Sequence, residues 1–374
     1  MTNHKKLLFI FGTRPEAIKM APLILTAREM NAFRVTVCVT GQHREMLRQV
    51  LAFFGIRPSY DIAVMTHNQS LPGVTSGILT GLEKVMTRAK PDLVLVQGDT
   101  TTAFTGALSA FYHKIPIAHI EAGLRSGMKH SPYPEEVNRA LVARLADYHF
   151  APTARAKENL LCEGIDERRV FVVGNTVIDA LFLALGRMDN KNKLFSRRFA
   201  WIDPGKKIIL VTGHRRESFG APFRNICSAI REIARMKNVE IVYPVHLNPH
   251  VRKPVFEILS DCPNVHLIEP VPYPELVWLM GKSHLILTDS GGIQEEAPSI
   301  GKPVLVMREV TERTEGIAAG TAKLVGTSRK KIVAETRRLF ASSVEYERMA
   351  RAANPYGDGR SAERILKRLA GTRL

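Results

Sequence analysis

The sequence predicts an α/β protein built from two Rossmann-like, doubly wound domains. Three observations predict it. Short runs rich in Val, Ile and Leu alternate with helix-patterned stretches along the whole chain, which is the order of βαβ units. Those runs are continuously apolar rather than alternating, as expected of parallel strands covered on both faces. The plan is also laid down twice within 374 residues, a length too great for one typical core.

In the first half, strands are expected at 6–12, 35–40, 93–98, 117–120 and 148–151. Helices begin near Pro15, Arg44, Ser70, Thr102 and Pro134. Pro15 and Pro134 suit the first helical position, where a missing N–H is harmless. In the second half, strands are expected at 208–212, 240–243, 266–268, 285–288, 304–307 and 323–325, with helices over 222–236, 251–259, 273–281 and 293–300. The polar region 188–207 contains Pro204-Gly205 and reads as an inter-domain surface segment. The expected domains are 1–175 and 176–355, facing each other across a cleft. Ligands of such sheets bind at the carboxyl ends of the strands.

The stretch 284–308, HLILTDSGGIQEEAPSIGKPVLVMR, carries the most chemistry. It reads as a strand, a turn at Asp289-Ser290-Gly291-Gly292, a short helix from Ile293 and a second strand. A helix N-terminus leaves N–H groups and a dipole that favour an anion, and two glycines let a phosphate approach the backbone. Glu295 and Glu296 follow within reach of a ribose. A plain strand-to-helix turn is the alternative.

Composition narrows the classes. With 45% hydrophobic and 24% charged residues the chain is that of an ordinary globular protein. LLFIF after two lysines is too short for a signal peptide, and nowhere do enough apolar residues run together to span a bilayer. Cys38, Cys162, Cys227 and Cys262 form no C-x-x-C pair, so neither a disulfide framework nor a zinc site is indicated. A cytoplasmic protein is expected. The net charge of +17 favours anionic ligands. Much of it lies on C-terminal helices, in residues such as Arg329, Lys330, Arg337 and Arg364, without any nucleic-acid-binding motif. Neither nucleic acid nor membrane is expected as a partner.

Five strand ends are rich in polar groups. After the first strand stand Arg14, whose guanidinium suits a diphosphate, and Lys19 one turn on. An N-terminal cap is the alternative role for Arg14. After the third of these strands comes Asp99, either a helix cap or a functional carboxylate. Glu121 follows the next strand, and Glu135 and Glu136 open the helix after it. In the second half His214 and His246 each follow a strand. No pair among these groups has metal-ligand spacing, so no metal is expected, and acid–base chemistry on a phosphorylated substrate fits better.

At these residues the chain resembles the non-hydrolysing UDP-N-acetylglucosamine 2-epimerases of bacterial surface-polysaccharide synthesis. The matching stretches are FGTRPEAIKMAP, VTGQHREML, GDTTT, HIEAGLRS, PEEVNR, GNTVIDA, VTGHRRES, YPVHLNP, LTDSGGIQEEAPSIGKPVLVMR and NPYGDGR, in order over nearly the whole chain. The resemblance implies the glycosyltransferase type B arrangement, with a last helix, 356–374, packing back on the first domain. It implies interconversion of UDP-N-acetylglucosamine and UDP-N-acetylmannosamine at C2 by elimination of UDP, through 2-acetamidoglucal, and re-addition. No cofactor is implied, and a homodimer is.

The same resemblance assigns roles. Arg14, His214 and the amides of Ser290, Gly291 and Gly292 would stabilise the departing diphosphate. Asp99, Glu121 and Glu135 are the candidate acid/base groups, with Lys19 a further substrate contact. Glu296 matches the ribose position and Arg313 another substrate contact, while uracil would be held through backbone near Val271 and Leu276. Some members are activated by UDP-N-acetylglucosamine at a second site matching Gln42, Gln69 and His246; here Glu45 stands where such members can carry Gln. A hydrolysing 2-epimerase and a type B glycosyltransferase are the alternatives.

Overall fold

The computed structural model describes residues 4–41, 44–64, 70–189 and 192–372. The chain divides into two compact units, Met1–Leu183 with Tyr356–Leu374, and Ala184–Pro355.

The first unit runs β1 (Lys5–Phe11), α1 (Arg14–Glu29), β2 (Phe33–Val39), α2 (Arg44–Phe53), β3 (Tyr60–Asp61), α3 (Leu71–Ala89), β4 (Leu93–Gln97), α4 (Thr101–Tyr112), β5 (Ile117–Ile120), α5 (Glu135–Leu145), β6 (Tyr148–Ala151), α6 (Ala154–Cys162), β7 (Val170–Val172) and α7 (Thr176–Asp189), whose last residues lie beyond Leu183. Its sheet is parallel throughout, in the order β3-β2-β1-β4-β5-β6-β7. Leu7 to Phe11 and Leu93 to Val96 are fully buried, which is why these strands read as unbroken apolar runs. Truncating one of these side chains to Ala would cost about 2–5 kcal/mol. β3 and β7, of two and three residues, are the edges of the sheet and are only partly buried, so neither reads as an unbroken apolar run.

The second unit runs α8 (Asn192–Arg198), β8 (Lys207–Thr212), α9 (Ala221–Ile233), β9 (Val239–Pro244), α10 (Pro249–Leu259), β10 (Val265–Ile268), α11 (Tyr273–Lys282), β11 (Leu285–Thr288), α12 (Gly291–Glu296), β12 (Val304–Val306), α13 (Thr314–Ala318), β13 (Ala322–Leu324), α14 (Arg329–Ala341) and α15 (Ser343–Ala350). Its parallel sheet has the order β10-β9-β8-β11-β12-β13. α16 (Ser361–Gly371) returns to the first unit and packs on α1. Lys5 Nζ donates to the carbonyls of Leu369 and Ala370, closing the last turn of that helix.

In both sheets the order in which strands are added reverses once, between β1 and β4 and between β8 and β11, while all strands stay parallel. Such switch points open a crevice at the strand ends. Arg14 and Asp99 follow one pair of strands, His214 and Ser290 the other.

Three local expectations need correction. Pro15 is the second residue of α1 and Pro134 the N-cap of α5, because Arg14 and Glu135 occupy the first helical positions. The region 188–207 is more than a surface segment. It contains α8, and Phe195, Phe199 and Ile202 bury themselves, with Phe199 stacked on Trp278 at 5.1 Å. Finally, α12 starts at Gly291 rather than Ile293, with Ser290 as N-cap.

Candidate active site

In the first unit the loop after β1 is fastened by a capping box. Thr13 caps α1 by accepting from Glu16 N, and Glu16 Oε2 accepts from Thr13 N at 2.8 Å. Thr13 therefore does the capping, and Arg14 is the half-buried first residue of the helix. Glu16 reaches further: Oε2 also takes Gly12 N at 3.1 Å and Thr13 Oγ1 at 2.7 Å, and Oε1 takes Thr100 Oγ1 at 2.7 Å. This buried carboxyl joins the loop of Arg14 to the loop of Asp99. Burial pushes its pKa up, outweighing the hydrogen bonds from Thr100, Thr13 and Gly12.

Asp99 does not cap α4. Thr100 is the N-cap and accepts from Ala103 N at 3.0 Å. The Asp99 carboxylate pairs instead with the Arg139 guanidinium from α5, while Asn138 Nδ2 donates to the Asp99 carbonyl at 3.0 Å. The turn before it needs Gly98, at φ +68°. His119 on β5 bonds the Gly98 carbonyl through Nε2 at 2.7 Å. Burial holds His119 at a pKa of about 3, so its imidazole is neutral and Nε2 is the donor.

Glu121 follows β5 with φ +62°, a left-handed conformation that costs a non-glycine residue roughly 1–2 kcal/mol. Its Oε2 accepts from Lys19 Nζ and, at 2.7 Å, from Asn175 Nδ2. Glu135 is half-buried at the start of α5. Its neighbour Glu136 is structural, accepting from Ser126 N and Gly127 N at 3.0 Å each and pairing with Arg139 at 3.2 Å. The structure thus gives Asp99 and Glu121 each a cation of its own at the ends of adjacent strands.

In the second unit His214 follows β8. The buried Asp289, just after β11, accepts from His214 N at 2.6 Å and Arg215 N at 2.8 Å through Oδ2. Its Oδ1 lies 3.4 Å from His214 Nδ1. Asp289 therefore fixes the backbone of His214, whose side chain is 44% exposed. His246 stacks on that ring, centroids 5.3 Å apart and planes 16° from parallel.

Ser290 N donates to Thr288 Oγ1 at 2.9 Å, and Gln294 N closes the first helical bond to Ser290 O. By position, the amides of Gly291, Gly292 and Ile293 are the first-turn donors with no intrahelical acceptor. Of the expected Ser290, Gly291 and Gly292 amides, that of Ser290 is engaged by the Thr288 hydroxyl. Gly291 is closely approached by two side chains. A Cβ there would lie 3.3 Å from Glu312 Oε1 and 3.4 Å from Arg313 Cζ.

Arg313 is held beside Gly291 by Glu295 Oε1 at 2.6 Å and Glu312 at 3.4 Å. Burial opposes charge on Glu312, but Arg313 and Arg308 hold its pKa at about 2. The buried Glu296 accepts from Tyr273 Oη at 2.7 Å; burial and Glu296 keep that phenol protonated and donating. Val271 lies just before α11, and Leu276 within it donates its own N–H to Pro272 O. The Leu276 amide is thus engaged in the helix rather than open to a base. Gln42 and Gln69 lie outside the described residues.

Sequence reasoning missed Glu16, Arg139, Asn175, Tyr273 and Asp289. Each acts on a partner distant in sequence, and only Glu16 carries a spacing signal, the Thr13-x-x-Glu16 capping box. Among the described residues no group of three or more His, Cys, Asp or Glu side chains could hold a metal ion, and no helix is long and apolar enough to cross a membrane.

Residues 26–370 match the family model of UDP-N-acetylglucosamine 2-epimerase. The chain is 55% identical to the UDP-N-acetylglucosamine 2-epimerase of Yersinia pestis, over 97% of this chain and 98% of that protein. Against the enzyme of Escherichia coli strain K12 the identity is 54%, over 99% of both chains. The crystal structure of the Neisseria meningitidis UDP-GlcNAc 2-epimerase bound to UDP-GlcNAc superposes with a TM-score of 0.93, at 50% identity, covering 98% of this chain and 100% of that one. The two parallel sheets place the fold in the glycosyltransferase type B class. With a family model spanning most of its length and relatives above half identity over nearly all of it, the chain belongs to the UDP-N-acetylglucosamine 2-epimerase family.

Proposed function

We propose that the protein interconverts UDP-N-acetylglucosamine and UDP-N-acetylmannosamine by inverting C2 of the sugar. A carboxylate removes the C2 proton while the C1–O bond breaks and its electron pair leaves with UDP. The C1=C2 bond of 2-acetamidoglucal forms. UDP oxygen then re-adds to C1 and a proton is delivered to C2 on the opposite face. The second unit's residues hold the nucleotide: Glu296 at the ribose, Arg313 and the Gly291, Gly292 and Ile293 amides at the diphosphate, with His214 set by Asp289, and Val271 and Leu276 near the base. Arg14 and Lys19 are further substrate contacts, as the resemblance implies. Asp99, Glu121 and Glu135 supply acid and base.

The observation that carries this reading is that Asp99 and Glu121, at neighbouring strand ends, are each oriented by a separate cation, Arg139 and Lys19. A C2–H beside the anomeric carbon of a glycosyl diphosphate is a weak acid, so elimination needs an ordered base and a strongly stabilised leaving group together. A pure binder of a dianion would gain nothing from such carboxylates. Retention of UDP for re-addition separates this reaction from hydrolysis, and the epimerase names of the relatives favour it.

Incubation with UDP-N-acetylglucosamine alone in D2O, followed by NMR, tests the proposal. Two UDP-sugars with deuterium at C2 are expected. Product keeping its C2 proton would refute deprotonation; free N-acetylmannosamine would indicate hydrolysis; no change would indicate a transferase.

The product would serve surface-polysaccharide synthesis in the cytoplasm, and the enzyme would act as a homodimer. Exposed Phe111 and Tyr112 at the end of α4 offer apolar surface for the latter. Activation by the substrate through Gln42, Gln69 and His246 would act on His214 through the His246 stack.

A further inference from the structure

We propose that Asn175 is a positioning residue that fixes Glu121 Oε2 as a pure hydrogen-bond acceptor, so that a proton taken or given by Glu121 travels on Oε1. This rests on the epimerase reading, since it concerns how one acid/base carboxylate of that reaction is set.

Asn175 is 2% exposed and immediately precedes α7. Its Oδ1 accepts from Val177 N at 3.2 Å, capping the helix. That bond turns the amide so that Nδ2 is the end reaching Glu121 Oε2, at 2.7 Å. Lys19 Nζ meets the same oxygen. An ammonium and an amide NH2 have only protons to offer. Oε2 therefore accepts from both and has no place for a proton of its own.

The donor is anchored at its backbone as well. Asn175 N donates to Tyr356 O at 2.6 Å. A Cβ on Gly174, at φ +90°, would lie 2.6 Å from Ser361 Oγ and 3.2 Å from Gly357 Cα. Asn175 thus sits where the chain leaves the first unit along α7 and where it re-enters at Tyr356. Its amide cannot swing without breaking the bond from Val177 N to Oδ1.

Two substitutions separate this role from simple helix capping. Asn175→Asp keeps an oxygen cap but sets an acceptor and a negative charge against Oε2. Asn175→Ser keeps a capping hydroxyl without the charge. Asn, Asp and Ser cap helices about equally well, so capping alone predicts wild-type turnover for both. Positioning predicts a fall in kcat of about tenfold for Asn175→Ser and about 100-fold for Asn175→Asp, the scale of a disturbed acid–base group. KM should stay within about threefold, and in a Glu121→Gln background Asn175→Asp should lower kcat by less than about twofold. A wild-type protein that does not epimerise would overturn the function and this assignment together. An active wild type in which Asn175→Asp turns over at the wild-type rate, or lowers kcat equally with and without Glu121, would overturn this assignment alone.

Discussion

Replacing Glu16 tests whether one buried carboxyl holds two halves of the first unit's site in register. Its side chain accepts four hydrogen bonds, from Gly12 N, Thr13 N, Thr13 Oγ1 and Thr100 Oγ1, and is 1% exposed. At about 1 kcal/mol per bond, with a small cavity added, Glu16→Ala should cost about 4–5 kcal/mol. Glu16→Gln is different. With its NH2 toward Thr100, whose hydroxyl can turn to accept, the amide keeps the three bonds at Oε2 and should cost less than about 1 kcal/mol at neutral pH. The sign of the pH effect follows from burial. The folded pKa of Glu16 lies above its ordinary 4.5, so the folded chain binds the proton more tightly. The stability this contributes is complete below the ordinary value and is lost as pH rises through the raised one. Gln has no proton to lose, so Glu16→Gln should gain on the wild type as pH rises. Urea unfolding of the three proteins at several pH values measures both effects. Equal losses for Gln and Ala, or an Ala cost below about 1 kcal/mol, would show that the carboxyl does not join the two loops.

Two further outcomes are expected. Asp99→Asn and Glu121→Gln should each lower kcat by about 100-fold or more with UDP affinity, measured calorimetrically, changed by less than about threefold; equal loss of both would assign these carboxylates to binding. His119 and His149 are buried, with pKa values pushed by burial from 6.5 to about 3 and about 4. The unfolded chain therefore binds more protons below pH 6.5, and stability falls on acidification at about 1.4 kcal/mol per pH unit for each histidine. Denaturant unfolding at pH 7 and pH 5 should differ by about 4 kcal/mol from this pair. A flat profile over that range would refute the assignment of both as neutral core imidazoles.

Much of the architecture is local and hence legible. Parallel strands covered on both faces must be apolar throughout, so runs such as Leu93–Gln97 announce themselves. Polar groups directly after such runs, Arg14, Asp99, Glu121 and His214, mark the strand ends where ligands bind. The edge strands β3 and β7 were not legible, since neither is an unbroken buried apolar run. The turn at 289–292 was legible as a strand-to-helix turn, but not which of its amides is engaged within the fold. The bond from Ser290 N to the Thr288 hydroxyl, which engages that amide, is invisible in a pattern of residue types.

The buried strands' positions along the chain, the candidate residues and the family motifs were determined by the sequence alone, because each is a property of neighbouring residues. What only the folded chain decided is which group governs which. Arg139 sets Asp99 from 40 residues away, Asn175 reaches Glu121 from 54, and Asp289 fixes the backbone of His214 from 75. Those pairs meet because parallel crossovers lay distant strand ends side by side. Sheet order, rather than periodicity, brings a carboxylate to its cation.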